Sequence, residues 1–319
     1  MKKVISTVVI LSMLSVGSIA NAAKPISIFV EDKEIQSAVA PILEQGRVLV
    51  PIRVVAESLG AKVTWDQKMN TVTIRKWSES VILTLGKKTV SRDGKPNESG
   101  VMDLDVSVQK ENNRIYVPLR FLSQQYGYIV DWNGKSITIK SPLSSKERMT
   151  LYEGSLKEAR TLVKKMTHSS NVHYQNKPLE VSYDTEDYTQ TFIFPEGEAL
   201  RYYVLQGDTV SQYEFIDDFP IVIWQAHLQK GEQLRNFLDN KFMDQKGTQT
   251  QINNKFLYYA TGGMGDSYLE NSGQIDIKKV VTPIGYKYSV GGDVATSDGK
   301  ISLVLPDEVR KEVNRDYRD

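Results

Sequence analysis

Between Arg47 and Ile74 the apolar positions run through three periods, and each predicts its own kind of element. Val48-Leu49-Val50 is an unbroken aliphatic run of the kind that fits a buried strand. Pro51 closes it, because proline has no N–H for a sheet ladder while its fixed φ suits the first turn of a helix. Ile52, Val55, Ala56 and Leu59 then recur at i, i+3, i+4 and i+7, one face of a helix running from about Pro51 to Ser58, with Gly60 placed to end it. Val63 and Trp65 alternate with Lys62, Thr64 and Asp66, the mark of a half-buried strand. Lys68-Met69-Asn70 turns that strand into Thr71-Val72-Thr73-Ile74.

The same succession returns from Arg114 to Ile139. Pro51 and Pro118, Arg53 and Arg120, Gly60 and Gly127, Val63 and Val130, and Trp65 and Trp132 are each 67 positions apart, so the chain carries an internal repeat. In the second copy Asn133-Gly134 predicts a two-residue hairpin turn. Ile26 to Val30 with a return through Ile35 reads as a hairpin around Glu31-Asp32-Lys33. Between the copies, Val81 to Leu85 and Lys88 to Val90 form a further hairpin, followed by an exposed loop from Ser91 to Gly100.

The runs VLVPIRVVAESLGAKVTWD and IYVPLRFLSQQYGYIVDW resemble the copper amine oxidase N-terminal domain, a stalk-like domain of many secreted Gram-positive proteins, over about residues 24–141. The resemblance implies a small α+β unit, an antiparallel sheet packed on helices, with an accessory role. It does not imply oxidase chemistry, which needs three imidazoles on copper and a tyrosine converted to a quinone. The whole chain holds His168, His173 and His227, with no H-x-H pair and no Asn-Tyr-Asp/Glu triplet.

Beyond Pro142 the pattern changes. Ser144-Ser145 with Glu147 offers a capped helix start, and Met149, Tyr152, Leu156, Ala159, Val163 and Met166 predict one long helix interrupted in propensity, not in pattern, by Gly154. Short alternating strands follow: 179–183, 189–194, 200–206, 210–216 and 221–224. A helix around Leu234, Phe237 and Leu238 precedes strands at 255–261, 275–282, 286–290 and 301–305. A short terminal helix with Val309, Val313 and Tyr317 on one face ends the chain. The fold class expected is α+β throughout: a first unit of antiparallel sheet on short helices with two pseudo-repeats, and a second unit built on an antiparallel meander.

At 319 residues the chain is long enough for two domains, expected at 23–143 and 144–319 after a leader at 1–22. The leader is read from Lys2-Lys3, the apolar stretch Val4 to Ile19 and the Ala20-Asn21-Ala22 cleavage signature, which predicts export and cleavage after Ala22. No later apolar segment approaches the ~18 residues of a membrane span, so no transmembrane segment is expected after processing. The absence of cysteine excludes disulfides, thiolate metal sites and cysteine nucleophiles. A formal net charge of +1 gives no reason to expect nucleic acid as a partner.

Candidate chemistry is sparse. Arg53 and Arg120, each two residues after a proline, are candidates for anion binding, though pairing with a carboxylate such as Glu57 explains Arg53 more simply. Trp65 and Trp132 read as core anchors rather than a sugar-stacking platform. His168 and His173 in HSSNVH are weakly spaced for a metal. Gly262-Gly263-Met264-Gly265-Asp266 lacks the Lys-Ser/Thr of a phosphate loop. Asp217-Asp218 and Asp184/Glu186/Asp187 lack calcium-loop spacing. The second half is rich in tyrosine, and adjacent tyrosines on a strand point to opposite faces, so Tyr203 and Tyr259 are ligand-binding candidates as the exposed members of their pairs. The expectation is an exported, non-catalytic envelope protein, secreted or wall-associated, without cofactor or metal. Its accessory unit would present a binding domain to a cell-wall polymer or another envelope protein. The alternative is a secreted hydrolase or metal-dependent enzyme with its site in 144–319.

Overall fold

The computed structural model describes residues 26–36, 39–95, 100–182, 189–250 and 254–312. The fold is α+β and dominated by antiparallel sheets. The leader, the Asp184/Glu186/Asp187 cluster and residues 313–319 lie outside the described residues.

The two repeats meet through their Val-Pro strands. Arg47–Pro51 pairs antiparallel with Arg114–Pro118, with Val50 opposite Val117, so a pseudo-twofold axis passes between these two valines. Ile42–Glu44 and Gln109–Glu111 complete this four-stranded sheet at its two edges. Each Val-Pro strand runs directly into a seven-residue helix, Ile52–Ser58 or Leu119–Gln125, as the proline predicts. Gly60 and Gly127 follow with φ of +75° and +76°, values that favour glycine. The strand after the first helix, Lys62–Asp66, opens a five-stranded meander that continues to Gly100–Asp103. The strand after the second, Ile129–Trp132, joins a sheet in which Ser136–Lys140 runs parallel to Ser27–Val30.

Several local readings are corrected. Asn133-Gly134 is not a two-residue turn: Trp132 pairs with Ile137, and the Asn133 side chain accepts the amides of Lys135 and Ser136 in an Asx-type loop. The segment Ser91 to Gly100 is partly strand, since Thr89–Asp93 pairs with Gly100–Asp103. Trp65 is partly buried against the core, but Trp132 is 42% exposed and is not a core anchor.

Beyond Ser141 the expected single helix is two, Ser145–Tyr152 and Leu156–Thr167, each started by a serine–glutamate capping box. The break falls at Gly154, where a Cβ would lie 2.5 Å from the Thr150 carbonyl oxygen, and Ser155 is a better helix start than a helix interior. A ten-stranded sheet follows, its longest strands being Phe219–Leu228 and Val281–Val290. Asp293–Gly299, not read from sequence, is an edge strand, while 179–182 and 301–305 are not strands. The expected strand at 275–282 is instead the end of Ser267–Ile275, a turn, and the start of Val281–Val290. Gly262 and Gly263 lie in the strand Phe256–Met264, with Gly265 in the turn after it. The described part of the expected terminal helix, 306–312, is not helical. It is anchored by Arg160, whose guanidinium pairs with Glu308 with both side chains fully buried and also donates to the carbonyls of Pro195, Glu198 and Leu303.

Both faces of the large sheet are covered over its central strands. One face carries a cluster of Phe192, Phe194, Tyr202, Tyr213 and Tyr259 against the two helices, and the other carries Tyr203, Trp224 and Tyr258 against the helix Gln233–Leu238. Strand alternation therefore sends each neighbouring tyrosine into a different core, and none of these emerges into solvent.

Candidate functional site

Where the first unit meets the large sheet, a hairpin tip is the joint. Ile216 pairs with Phe219 across Asp217 and Asp218, whose φ values of 51° and 67° match a two-residue turn with both central residues left-handed. Aspartate tolerates that region better than most side chains. Asp218 points inward, is almost fully buried, and accepts hydrogen bonds from Ser141 Oγ at 2.6 Å, Tyr152 Oη at 2.8 Å and the Arg148 guanidinium. Arg148 also donates to Glu31 at 3.2 Å and to Ser141 at 2.8 Å. Asp218 and Arg148 together thus tie the first hairpin, the end of the first unit, the helix Ser145–Tyr152 and the large sheet. Burial, with Asp218 beside it, pushes the Tyr152 hydroxyl well above its ordinary pKa, so it stays a donor.

The residues after this turn enter the first unit's core. Phe219 and Ile221 belong to the same hydrophobic cluster as Val50, Val117 and Tyr126. The Phe219 ring packs edge-on to Tyr128 at 5.1 Å and to Trp77 at 5.6 Å. Trp77 stacks on His173 at 3.9 Å, and His173 Nδ1 is bonded to Glu79, both side chains being fully buried. Burial raises the Glu79 carboxyl to about 7, against the pull of Lys95, Gln125, Lys76 and Arg92. Lys76 lies beside it, donating to the Leu59 carbonyl at 2.6 Å and Tyr128 Oη at 2.7 Å, with its ammonium 4.3 Å from the Trp77 ring centre. Burial lowers Lys76 to about 8, and Asp217 and Glu79 act to raise it. Ser78 N donates to the Tyr174 carbonyl at 2.8 Å, and Lys95 Nζ to that of Ser170 at 2.8 Å, closing the seam. Gly127 is needed here twice over: its φ is positive, and a Cβ would lie 2.7 Å from Asn171 Oδ1.

Beside this seam opens a cleft of about 1050 Å³, walled by both units: Glu34, Ser58 and Tyr128 on one side, Arg201, Glu214 and Asp217 on the other. Its floor rests on the Lys76 cluster, because Leu59 and Tyr128 line the cleft and also hold the Lys76 ammonium. Arg201 is held by Glu198 through two hydrogen bonds of 2.9 Å, and Arg148 by Glu31 and Asp218. Among the described residues Glu34, Glu214 and Asp217 have no ion pair within 4 Å; Lys33 also lines the cleft and Arg201 lies opposite Glu214, but the carboxylates of the lining outnumber its cations.

The residues singled out in the sequence lie elsewhere. Arg53 is exposed and pairs with Glu57 at 3.7 Å. It lines a separate small groove with Trp65, Lys110 and Arg114. Arg120 is exposed at the other end of the pseudo-twofold arrangement. Tyr203 and Tyr259 are buried, not exposed: Tyr203 donates to the Thr250 carbonyl at 3.0 Å, and Tyr259 donates to Glu270 beneath the Lys164 ammonium. The histidines do not converge. His168 is exposed and bonded to the Lys164 carbonyl, His173 is in the seam, and His227 pairs with Asp244 at 2.7 Å. His173 is opposite Ile221, and His227 is six residues further along that strand, on the order of 20 Å away. These donors do not fit a copper site, and among the described residues no group of three or more His, Asp or Glu side chains is arranged around a metal position.

Sequence reasoning missed the seam because its partners are remote: Glu79 and His173 are 94 positions apart and Arg148 and Asp218 are 70 apart. The one available signal was Asp217-Asp218 between two apolar strands, which marks the turn but not what Asp218 binds.

Residues 29–141 match the copper amine oxidase N-terminal domain family model. A search of curated proteins gives no match to the chain.

Proposed function

We propose that this protein, whose first unit is a copper amine oxidase N-terminal domain, is an exported, non-catalytic binding protein of the cell envelope that takes its ligand in the cleft between the two units. The observation that carries this reading is the joint construction of the cleft. Neither unit forms it alone, and Asp218, Arg148 and Phe219 fix the two walls relative to each other. A site so placed is preformed, which spares a ligand part of the ordering cost of binding. The carboxylates of Glu34, Glu214 and Asp217 favour a ligand that carries positive charge. The leader read at residues 1–22 and the accessory role implied by the family support the envelope as its place.

Hydrogen exchange of the processed full chain, with and without soluble material released from the envelope, tests this. The reading predicts slowed exchange at residues 57–60, 198–201 and 214–218, and loss of that slowing in Ser58→Trp, which fills the cleft from an exposed helix end. Slowing confined to other segments, or unchanged in the variant, would overturn it, as would turnover of a substrate with the same dependence on Ser58→Trp.

A further inference from the structure

The two ends of the pseudo-twofold sheet should be chemically alike, and they are not. Arg53 and Arg114 line one groove, and the pseudo-twofold relation of the Val-Pro strands makes Arg120 and Arg47 their equivalents at the other end. At the second end Arg47 is neutralised by Asp105 at 2.7 Å, and the position equivalent to Lys110 is Leu43, 67 residues earlier. At the first end, among the described residues, Lys110 and Arg114 have no ion pair within 4 Å, and Arg53 has the long contact to Glu57, with both side chains more than half exposed. Such a contact is worth little.

These three cations surround a groove of about 260 Å³ whose walls are Trp65, Val63 and Ile115, with Asn113 at the rim and no carboxylate among its lining residues. Lys110 Nζ stands 5.8 Å from the centre of the Trp65 ring. Like charges held side by side repel, and the nearest carboxylates, Glu111 across the strand pair from Arg114 and Glu57 beside Arg53, are not among the groove's lining residues and do not neutralise it from within. An anion would. A bare anion would make no use of the indole, whereas a ring with apolar C–H faces would pack on it. The groove is smaller than the ~300–1,000 Å³ of sites for drug-sized ligands, so it suits one ring rather than an extended chain.

We infer that this groove is a binding site for a sugar unit carrying negative charge, with Trp65 as the platform and Arg53, Lys110 and Arg114 as the anion's partners. It is independent of the junction cleft: it lies wholly within the first unit, and a polymer of acidic sugars bound there would hold the protein while the cleft stays open.

The test is titration of the processed full chain, ¹⁵N-labelled, with glucuronate, glucose 6-phosphate, glucose and inorganic phosphate in turn, following the indole N–H signal of Trp65 assigned through Trp65→Phe. The expected result is a saturable shift with one or both charged sugars. Glucose and inorganic phosphate should bind at least about fivefold more weakly, and Lys110→Ala with Arg114→Ala should weaken the charged sugar about tenfold or more. Arg47→Ala, at the neutralised end, should leave binding unchanged. Glucuronate against glucose 6-phosphate tells a carboxylate-bearing from a phosphate-bearing unit. No shift with either charged sugar into the high millimolar range, equal binding of inorganic phosphate, or indifference to the double substitution in a chain that still melts as the wild type does, would each overturn the inference.

Discussion

Glu79 is a carboxyl whose burial works against its ionisation. Its carboxyl is buried against His173 and Trp77, with Lys76, Lys95 and Arg92 as the cations facing it and Gln125 as a further partner. Burial outweighs those partners and raises it to about 7 from 4.5. Between those values the folded chain holds a proton that the unfolded chain has released. This residue's contribution to stability is therefore fully present below about pH 4.5 and is lost as pH rises through 7. Glu79→Gln keeps the shape and an acceptor for His173 Nδ1 but cannot ionise. Urea unfolding at pH 5 and pH 8 should show the variant gaining on the wild type by up to about 3 kcal/mol at the higher pH. An unchanged difference between the two chains across that range would mean that Glu79 is not held protonated by the seam. Nothing in the sequence flags this residue, which sits in a polar Ser78-Glu79-Ser80 stretch.

Among the elements, those specified by their own residues are the ones legible in the sequence. The Val-Pro strands, the two short helices and the strands after Gly60 and Gly127 follow from proline, periodicity and glycine, each acting within a few residues. Where local signals compete, reading fails. Met149 to Met166 has helical spacing throughout, yet Gly154 and the Ser155–Glu158 capping box divide it. Tyr202 and Tyr203 alternate as a strand should, but solvent lies on neither side, because helices cover both faces of the sheet. The Asp217-Asp218 turn is the case where an element and its partners can be separated by experiment. Asp218→Asn keeps a side chain that tolerates the left-handed region and removes the charge that Arg148, Ser141 and Tyr152 share. It should cost about 1–3 kcal/mol in denaturant unfolding. Asp217→Asn, whose side chain faces the cleft, should cost well under that in the same measurement.

At the scale of the molecule, the first unit is not a stalk attached by a linker. Phe219 and Ile221 of the large sheet sit in its core, Glu79 and His173 bond across the seam, and the ten-stranded sheet reaches the seam through the two-residue strand His173–Tyr174. The cleft exists only if that seam holds, so cooperativity between the units underlies the functional reading. Scanning calorimetry of the full chain is the most direct measurement of it. The account predicts one transition in which the calorimetric and van't Hoff enthalpies agree, shifted as a whole to lower temperature by Phe219→Ala. Two resolved transitions, with only one of them moved by Phe219→Ala, would show that the units unfold independently and would contradict a ligand site built between them.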